Sequence, residues 1–454
     1  MTQHTAEPVR RPILLSYALP AFVVALPTIP VYLTLPIFYG VEMGVGLAAT
    51  GGLLLISRVF DTLTDPIVGH LSDRFSFKKY RRKPWILIGA IIAGWGLNML
   101  LSPPDGAGGA HLLTWSIVLY AGWTMISIPY LAWGAELHAD YNERARITGW
   151  REGFGLLGMM GAGALIAYVS ETQSAANAPG MVAWSAILLG AIFIPILLWK
   201  VPEGIPPQAI KPPAQRFKQL ISLAQNKPFL KLLSAWFING IANGIPAALF
   251  FLYLEYGLGV AAAERPRFIL IYFLAAILAI PIWLYLSRKF GKHRTWGWAM
   301  ILAVSAFITV PALPAGAELL FMLICILTGA ALGADLILPP AIQADVADYD
   351  RWRFNSDRLG LLFALWGMTT KLALAVAVGM ALPAVQWLGF SPETPSELGR
   401  MVLIVIYAGI PAVIKLLAVS IIWRFPLNAK RQVALRRRLT MREGGLNSGG
   451  HGWV

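Results

Sequence analysis

Charge is scarce in this 454-residue chain, where Asp, Glu, Lys and Arg make up 13% of the residues. A soluble domain carries about 25%. The deficit excludes a disordered protein, which needs high charge and low hydropathy, and an ordinary soluble enzyme. Cysteine is nearly absent. Cys325 is alone and sits in an apolar stretch, so no disulfide framework or thiolate metal site is expected. The six histidines (His4, His70, His111, His138, His293 and His451) read as loop or tail residues, which leaves no imidazole for metal chemistry inside an apolar run. The glycine-rich stretch at 106–109 lacks the lysine of a phosphate-binding loop. No catalytic constellation emerges, so the chain reads as neither an enzyme nor an ATP-driven machine, and it needs no cofactor.

What is abundant is apolar: 57% of residues are hydrophobic and the mean hydropathy is +0.64. A bilayer-spanning helix needs about 20 mostly apolar residues. Runs of that length fall near 13–39, 46–68, 85–102, 113–136, 150–171 and 182–201, and again near 230–256, 268–287, 296–313, 318–343, 359–389 and 401–424. The expected fold is an all-α membrane protein of twelve transmembrane helices in two pseudo-symmetric six-helix bundles. The first bundle covers 1–201, a Pro- and Lys-rich cytoplasmic linker 202–229, the second bundle 230–425 and a basic tail 426–454.

The net charge of +14 does not indicate nucleic acid, because the basic residues cluster in short segments between apolar runs. Arg74 and Lys78 to Lys83 follow run 2, Arg144 and Arg146 follow run 4, and further clusters lie at 288–294, 351–358 and 436–438. The alternate segments around Glu42, Asp105 and Glu171 hold no Lys or Arg. The positive-inside rule therefore places both termini in the cytoplasm.

The two halves echo each other. Leu71-Ser72-Asp73-Arg74-Phe75 matches Leu286-Ser287-Arg288-Lys289-Phe290, and Ala139-Asp140-Tyr141 matches Ala347-Asp348-Tyr349. Both pairs are offset by roughly 210 residues, the mark of an internal repeat. Parallel six-helix repeats related by an axis along the membrane normal resemble the major facilitator arrangement, in which substrate binds near the midplane.

Ionisable residues at bilayer depth are costly and call for a reason. Run 2 holds Arg58, Asp61 and Asp65, whose spacings of three and four put them on one helical face. One cation with two carboxylates leaves a negative patch suited to a proton or sodium ion, with Thr64 and Thr124 as further oxygen ligands. A structural ion pair is the other reading. Lys371 lies deep in run 11 and calls for an acid: Asp61 or Asp65 first, then Asp335 in run 10. Arg151 is either a cavity residue or an interfacial anchor. Asn239 and Asn243 share a face near Gly240, Gly244 and Pro246, and either bind substrate or pack helices. Tyr130, Trp133, Trp123 and Trp366 either stack on a sugar ring or belong to packing.

The pattern Arg58-Val-Phe-Asp61-Thr-Leu-Thr-Asp65-Pro66 resembles the helix 2 signature of the glycoside-pentoside-hexuronide:cation symporters. Lys83-Pro84-Trp85, Ile128-Pro129-Tyr130, Ala344-Asp345-Val346-Ala347-Asp348-Tyr349 and Lys371 extend the likeness over nearly the whole chain. The resemblance implies H+- or Na+-coupled symport of a sugar, glycoside or sugar acid by alternating access, carried out by a monomer in the bacterial inner membrane with no nucleic-acid partner. It makes Asp61, Asp65, Thr64 and Thr124 the cation site and puts Arg151 near the sugar. Arg58, Lys371, Tyr130, Trp133, Asn239, Asn243, Asp335 and Trp366 are the remaining substrate candidates. Asp73, Arg74 and Arg144 are read as the gating latch. Two departures stand out. Ser127 replaces a family acid before the Ile-Pro pair and so joins the cation candidates, and the first run has no charge where the family pattern has an acid, near Ala25. Lysophospholipid carriers share the helix 2 pattern and the run 11 lysine, so an amphiphile carrier is the alternative. A non-transporting membrane sensor is a third reading.

Overall fold

The computed structural model describes residues 8–74, 80–104, 106–138, 141–172, 178–203, 223–354, 359–394 and 396–427, with residues 431, 432, 434, 435, 438 and 441 of the tail. Among them are twelve helices long and apolar enough to cross a membrane. They are α1 Arg11–Glu42 and α7 Lys227–Gly257, α2 Leu47–Arg74, α3 Lys83–Leu101, α4 Gly109–Glu136, α5 Tyr141–Thr172 and α6 Ala178–Lys200. The rest are α8 Arg265–Phe290, α9 Lys292–Thr309, α10 Glu318–Phe354, α11 Leu359–Trp387 and α12 Glu397–Trp423. Helices are the natural answer to lipid, where each segment must satisfy its own backbone hydrogen bonds. Prolines interrupt that ladder, and α1 widens into π-turns at Pro30–Thr34 and Phe38–Glu42. The same widening occurs at Tyr253–Gly257 in α7 and Val405–Gly409 in α12.

Several segments expected to be basic loops are helical. Arg144 and Arg146 belong to α5, Arg351 and Arg353 to the last turn of α10, and only Gly291 separates α8 from α9. Hydropathy marks where a helix leaves the hydrocarbon, not where its hydrogen-bond ladder stops. Three histidines are corrected in the same way. His70 falls within α2, His111 opens α4 with a ring nitrogen 2.8 Å from the Met99 carbonyl oxygen, and His293 is buried in the first turn of α9.

The chain forms two compact units. Unit 1 comprises Met1–Pro213, Ala247–Leu270 and Val378–Leu403; unit 2 comprises Ala214–Pro246, Ile271–Ala377 and Ile404–Val454. Unit 1 packs around Leu14, Tyr17, Ile86, Ile126, Tyr130, Trp133 and Leu197. Unit 2 packs around Phe229, Trp283, Trp296, Leu338, Trp366 and Ile422. Lipid is as apolar as a side chain, so close packing rather than hydrophobicity selects helix partners. In unit 2 a Cβ on Gly329 or Gly333 of α10 would overlap the backbone carbonyls of Tyr272 and Ala276 on α8, so only glycine permits that approach. The outward-facing side chains stay apolar, with Ile91, Leu278, Leu319 and Val413 all more than half exposed. A surface of that kind faces lipid.

The internal repeat extends into the ion pairs. In unit 1 Arg82, at the start of α3, pairs with Glu136 at the end of α4 at 2.8 Å, and Arg81 joins it. In unit 2 Lys292, at the start of α9, pairs with Asp345 of α10 at 2.6 Å. Both members recur at the same offset of roughly 210 residues, so each half ties its third helix to its fourth in the same way.

Candidate functional site

Helix α2 carries the carboxylates and α4 supplies what lies between them. Thr124 Oγ1 of α4 lies 2.9 Å from Asp61 Oδ1 and 3.0 Å from Asp65 Oδ1. Asp61 and Thr124 are buried, and Asp65 is half-buried. A threonine hydroxyl has one hydrogen to donate. With both carboxylates ionised, one of these two contacts would set lone pair against lone pair. The arrangement closes when one carboxyl carries a proton and donates it to the hydroxyl, or when a cation bridges the oxygens.

Arg58 is one turn away on α2, 7% exposed, and its charge acts on Asp61. Its guanidinium is sandwiched between the rings of Tyr32 and Tyr120 at 3.9 and 4.2 Å, and it donates to the Tyr32 hydroxyl at 2.7 Å. That clamp holds the guanidinium in place; the sequence offered Arg58 both as the cation beside the two carboxylates and as a substrate candidate. One arginine and two carboxylates sum to a single negative charge, which one monovalent cation neutralises. Thr64 gives its hydroxyl hydrogen to the Asp61 backbone carbonyl at 2.9 Å and retains only lone pairs. Ser127 is half-buried one turn beyond Thr124 on α4.

A second cluster in unit 1 joins α1, α4 and α5. The hydroxyl of Tyr17 donates to the Tyr130 backbone carbonyl at 3.0 Å and that of Tyr130 donates back to the Tyr17 carbonyl, with the rings 4.7 Å apart. Arg151 lies against the Tyr17 hydroxyl and pairs with Glu152. Trp133 is fully buried and donates its indole N–H to the Pro202 carbonyl at 2.8 Å. Packing and backbone bonding thus occupy Tyr130 and Trp133, two of the four aromatic residues that sequence offered either as sugar platforms or as packing. Elsewhere in the unit, α1, α3, α4 and α6 enclose a groove of about 460 Å3. Small residues (Ala90, Ala93, Gly94, Ala186, Gly190) leave the space that Trp95, Trp123 and Trp184 border.

Unit 2 gathers Asn239, Asn243 and Asp335 around a residue the sequence reading left out, Lys415 of α12. Asp335 Oδ2 accepts from Asn239 Nδ2 at 3.0 Å and from Asn243 Nδ2 at 2.8 Å, while Oδ1 accepts from Trp296 Nε1 at 2.6 Å. Lys415 Nζ donates to Asn239 Oδ1 at 2.8 Å and Asn243 Oδ1 at 2.7 Å. Asp335, the second acid considered for Lys371, therefore has Lys415 as its near cation. The signal for Lys415 was present: it breaks an apolar run just as Lys371 does. Trp366 stacks on Trp236 at 4.6 Å, and the Trp236 indole donates to Thr370 Oγ1 at 2.7 Å, beside half-buried Lys371. The side chains of the latch residues Asp73, Arg74 and Arg144 lie outside the described residues.

The comparisons with known proteins show the family and the fold. The family described as MFS/sugar transport protein matches residues 16–429. The uncharacterized symporter YjmB of Bacillus subtilis (strain 168) is 26% identical over 84% of this chain and 84% of its own. The sodium-dependent lysophosphatidylcholine symporter 1 of Xenopus tropicalis is 22% identical over 86% of this chain and 82% of its own. Among solved structures, a D-xylose-proton symporter superposes with a TM-score of 0.66 at 16% identity, covering 92% of this chain and 98% of its own, a likeness of fold. With twelve membrane-length helices, an internal repeat and a profile match over nearly its whole length, the chain belongs to the MFS/sugar transport family of integral membrane transporters.

Proposed function

We propose that this protein is a symporter driven by one monovalent cation, H+ or Na+, that moves a sugar, glycoside or sugar acid by alternating access. The observation that carries the proposal is the single Thr124 hydroxyl held between Asp61 and Asp65 at 2.9 and 3.0 Å. Loading one cation completes the hydrogen bonding and cancels the net charge of Arg58, Asp61 and Asp65, so the loaded site is electrically neutral. A charge left unneutralised at bilayer depth is costly, so the empty site resists the conformational step and the loaded one permits it. Ser127 and Thr64 are proposed as further oxygen ligands. Arg151, Lys371 and Trp366 are the proposed substrate contacts, with Asp73, Arg74 and Arg144 as the cytoplasmic latch. The basic segments support cytoplasmic termini in a bacterial inner membrane, with the protein acting as a monomer.

A second reading, a carrier of a single-chain amphiphile, draws on the 460 Å3 apolar groove in unit 1, whose walls would accept an acyl chain. Thermal-stability screening in detergent separates the two. D-xylose, D-galactose, methyl β-D-glucoside and D-glucuronate are compared with lysophosphatidylcholine, each with NaCl or choline chloride across a pH series. Saturable protection by a sugar, strengthened by sodium or by acid, supports the first reading. Protection by lysophosphatidylcholine alone replaces it with the second.

A further inference from the structure

We propose that Asn239, Asn243 and Asp335 form a second cation site, of the kind that takes a small ammonium-type ion, and that the chain fills it permanently with its own Lys415. The proposal is independent of the sugar reading. It concerns unit 2 alone, whereas the coupling carboxylates lie in unit 1.

The argument runs through the two amides. An asparagine side chain has an acceptor end and a donor end, and only its partners determine which way it points. Lysine can only donate and an ionised aspartate can only accept. Both amides here turn their oxygens to Lys415 Nζ, at 2.8 and 2.7 Å, and their nitrogens to Asp335 Oδ2, at 3.0 and 2.8 Å. The two side-chain dipoles are thus parallel, and their negative ends converge on one point. The carboxylate lies one amide behind that point, and Trp296 satisfies its other oxygen at 2.6 Å. Tyr272 of α8, which is not a cation, lies within electrostatic range of Asp335. A converging pair of carbonyl oxygens backed by a negative charge is a cation ligand set.

The occupant is buried: Lys415 is 2% exposed, Asn239 fully buried and Asp335 5% exposed. Asn243 is only half-buried and gives the site its one partly open side. An ordinary helix-packing bond would need one polar partner on α12. This one needs a full positive charge, because Asp335 alone would leave a buried carboxylate uncompensated. A tethered cation cannot leave. Unit 2 is thereby loaded in every state, and the mobile cation is left to Asp61 and Asp65. The expected stoichiometry is one coupling cation per substrate.

The test uses the full-length protein in detergent and methylammonium as the probe. Lys415→Ala, prepared with methylammonium chloride present throughout, removes the ammonium with three methylenes and leaves more than enough room for the smaller methylammonium ion. Removing the probe should lower the melting temperature by at least ~5 °C. Returning about 50 mM methylammonium should restore at least half of that fall in a saturable way. Choline chloride at equal ionic strength should restore none. Lys415→Met keeps the volume filled, so it should not respond, and Lys415→Ala combined with Asp335→Asn should not respond either. Any effect through Asp61 and Asp65 also occurs in the unaltered protein and is subtracted. The proposal is overturned if choline and methylammonium act equally, if Lys415→Met responds as Lys415→Ala does, or if the response survives Asp335→Asn. Failure of Lys415→Ala to fold even with methylammonium, while Lys415→Met folds, overturns it as well.

Discussion

Replacing Thr124 by valine keeps the shape of the α2–α4 contact and removes the hydroxyl on which the cation site depends. The cost follows from counting hydrogen bonds in the two states. In the empty site, with both carboxylates ionised, the Thr124 hydroxyl satisfies one of Asp61 and Asp65 and faces the other unhelpfully. In the proton-loaded site it donates to one carboxylate and accepts from the protonated other. Loading therefore adds one hydrogen bond, and if a metal cation is loaded instead it adds one oxygen ligand. The added bond joins a neutral carboxyl to a neutral hydroxyl and contributes about 1.5 kcal/mol at the top of its range, and about 1.4 kcal/mol is tenfold in affinity. Thr124→Val should accordingly raise the half-saturating concentration of the coupling cation about tenfold. Thr124→Ser, which restores the hydroxyl, should stay near the unaltered value. Melting temperature followed against sodium concentration and against pH measures the shift directly, without a known substrate. Unchanged half-saturation in Thr124→Val, within twofold on both axes, would falsify the shared-hydroxyl account, because the carboxylates would then bind the cation without α4.

Further outcomes are expected from the same geometry. Asp61→Asn and Asp65→Asn should each abolish uphill accumulation in proteoliposomes while leaving the protein folded, because an amide keeps the shape but cannot balance a cation. Accumulation by either variant at the unaltered level counts against the proposed site. Arg82→Ala leaves buried Glu136 with one cation fewer, and breaking a buried pair costs about 3–5 kcal/mol at most. The partial support from Arg81 places the loss at the low end, readable as a lowered melting temperature that Glu136→Gln on the same background partly reverses. Gly333→Val pushes a side chain into the Ala276 carbonyl, and such overpacking costs about 1–3 kcal/mol. A melting temperature equal to the unaltered protein would show that α8 and α10 can separate freely. Tyr32→Leu removes one face and the hydroxyl partner of the Arg58 clamp, and cation half-saturation should rise severalfold as the guanidinium moves toward Asp61. A fall instead would mean that the clamp weakens the site.

Residue types and spacing were enough for the twelve spans, since lipid compels each crossing segment to be both apolar and self-bonded. They were also enough to set Asp61 and Asp65 on one helical face with Arg58, because the 3.6-residue period is local. Nothing local says that Thr124 enters between those carboxylates. That depends on the register of α4 against α2, which is fixed by packing between helices far apart in sequence. The same holds for Lys415: the sequence shows a charge in an apolar run, and only the folded unit brings α7, α9 and α10 around it with two amides turned the same way. Tyr130 and Trp133 illustrate the converse, since an aromatic residue type fits a cavity wall and a packed core equally well. The extensions of α5 and α10 beyond the hydrocarbon were hidden for a related reason. Hydropathy reports the solvent around a helix, whereas its ends are decided by the backbone ladder and by contacts such as Lys292 with Asp345 that hold the polar turns in place.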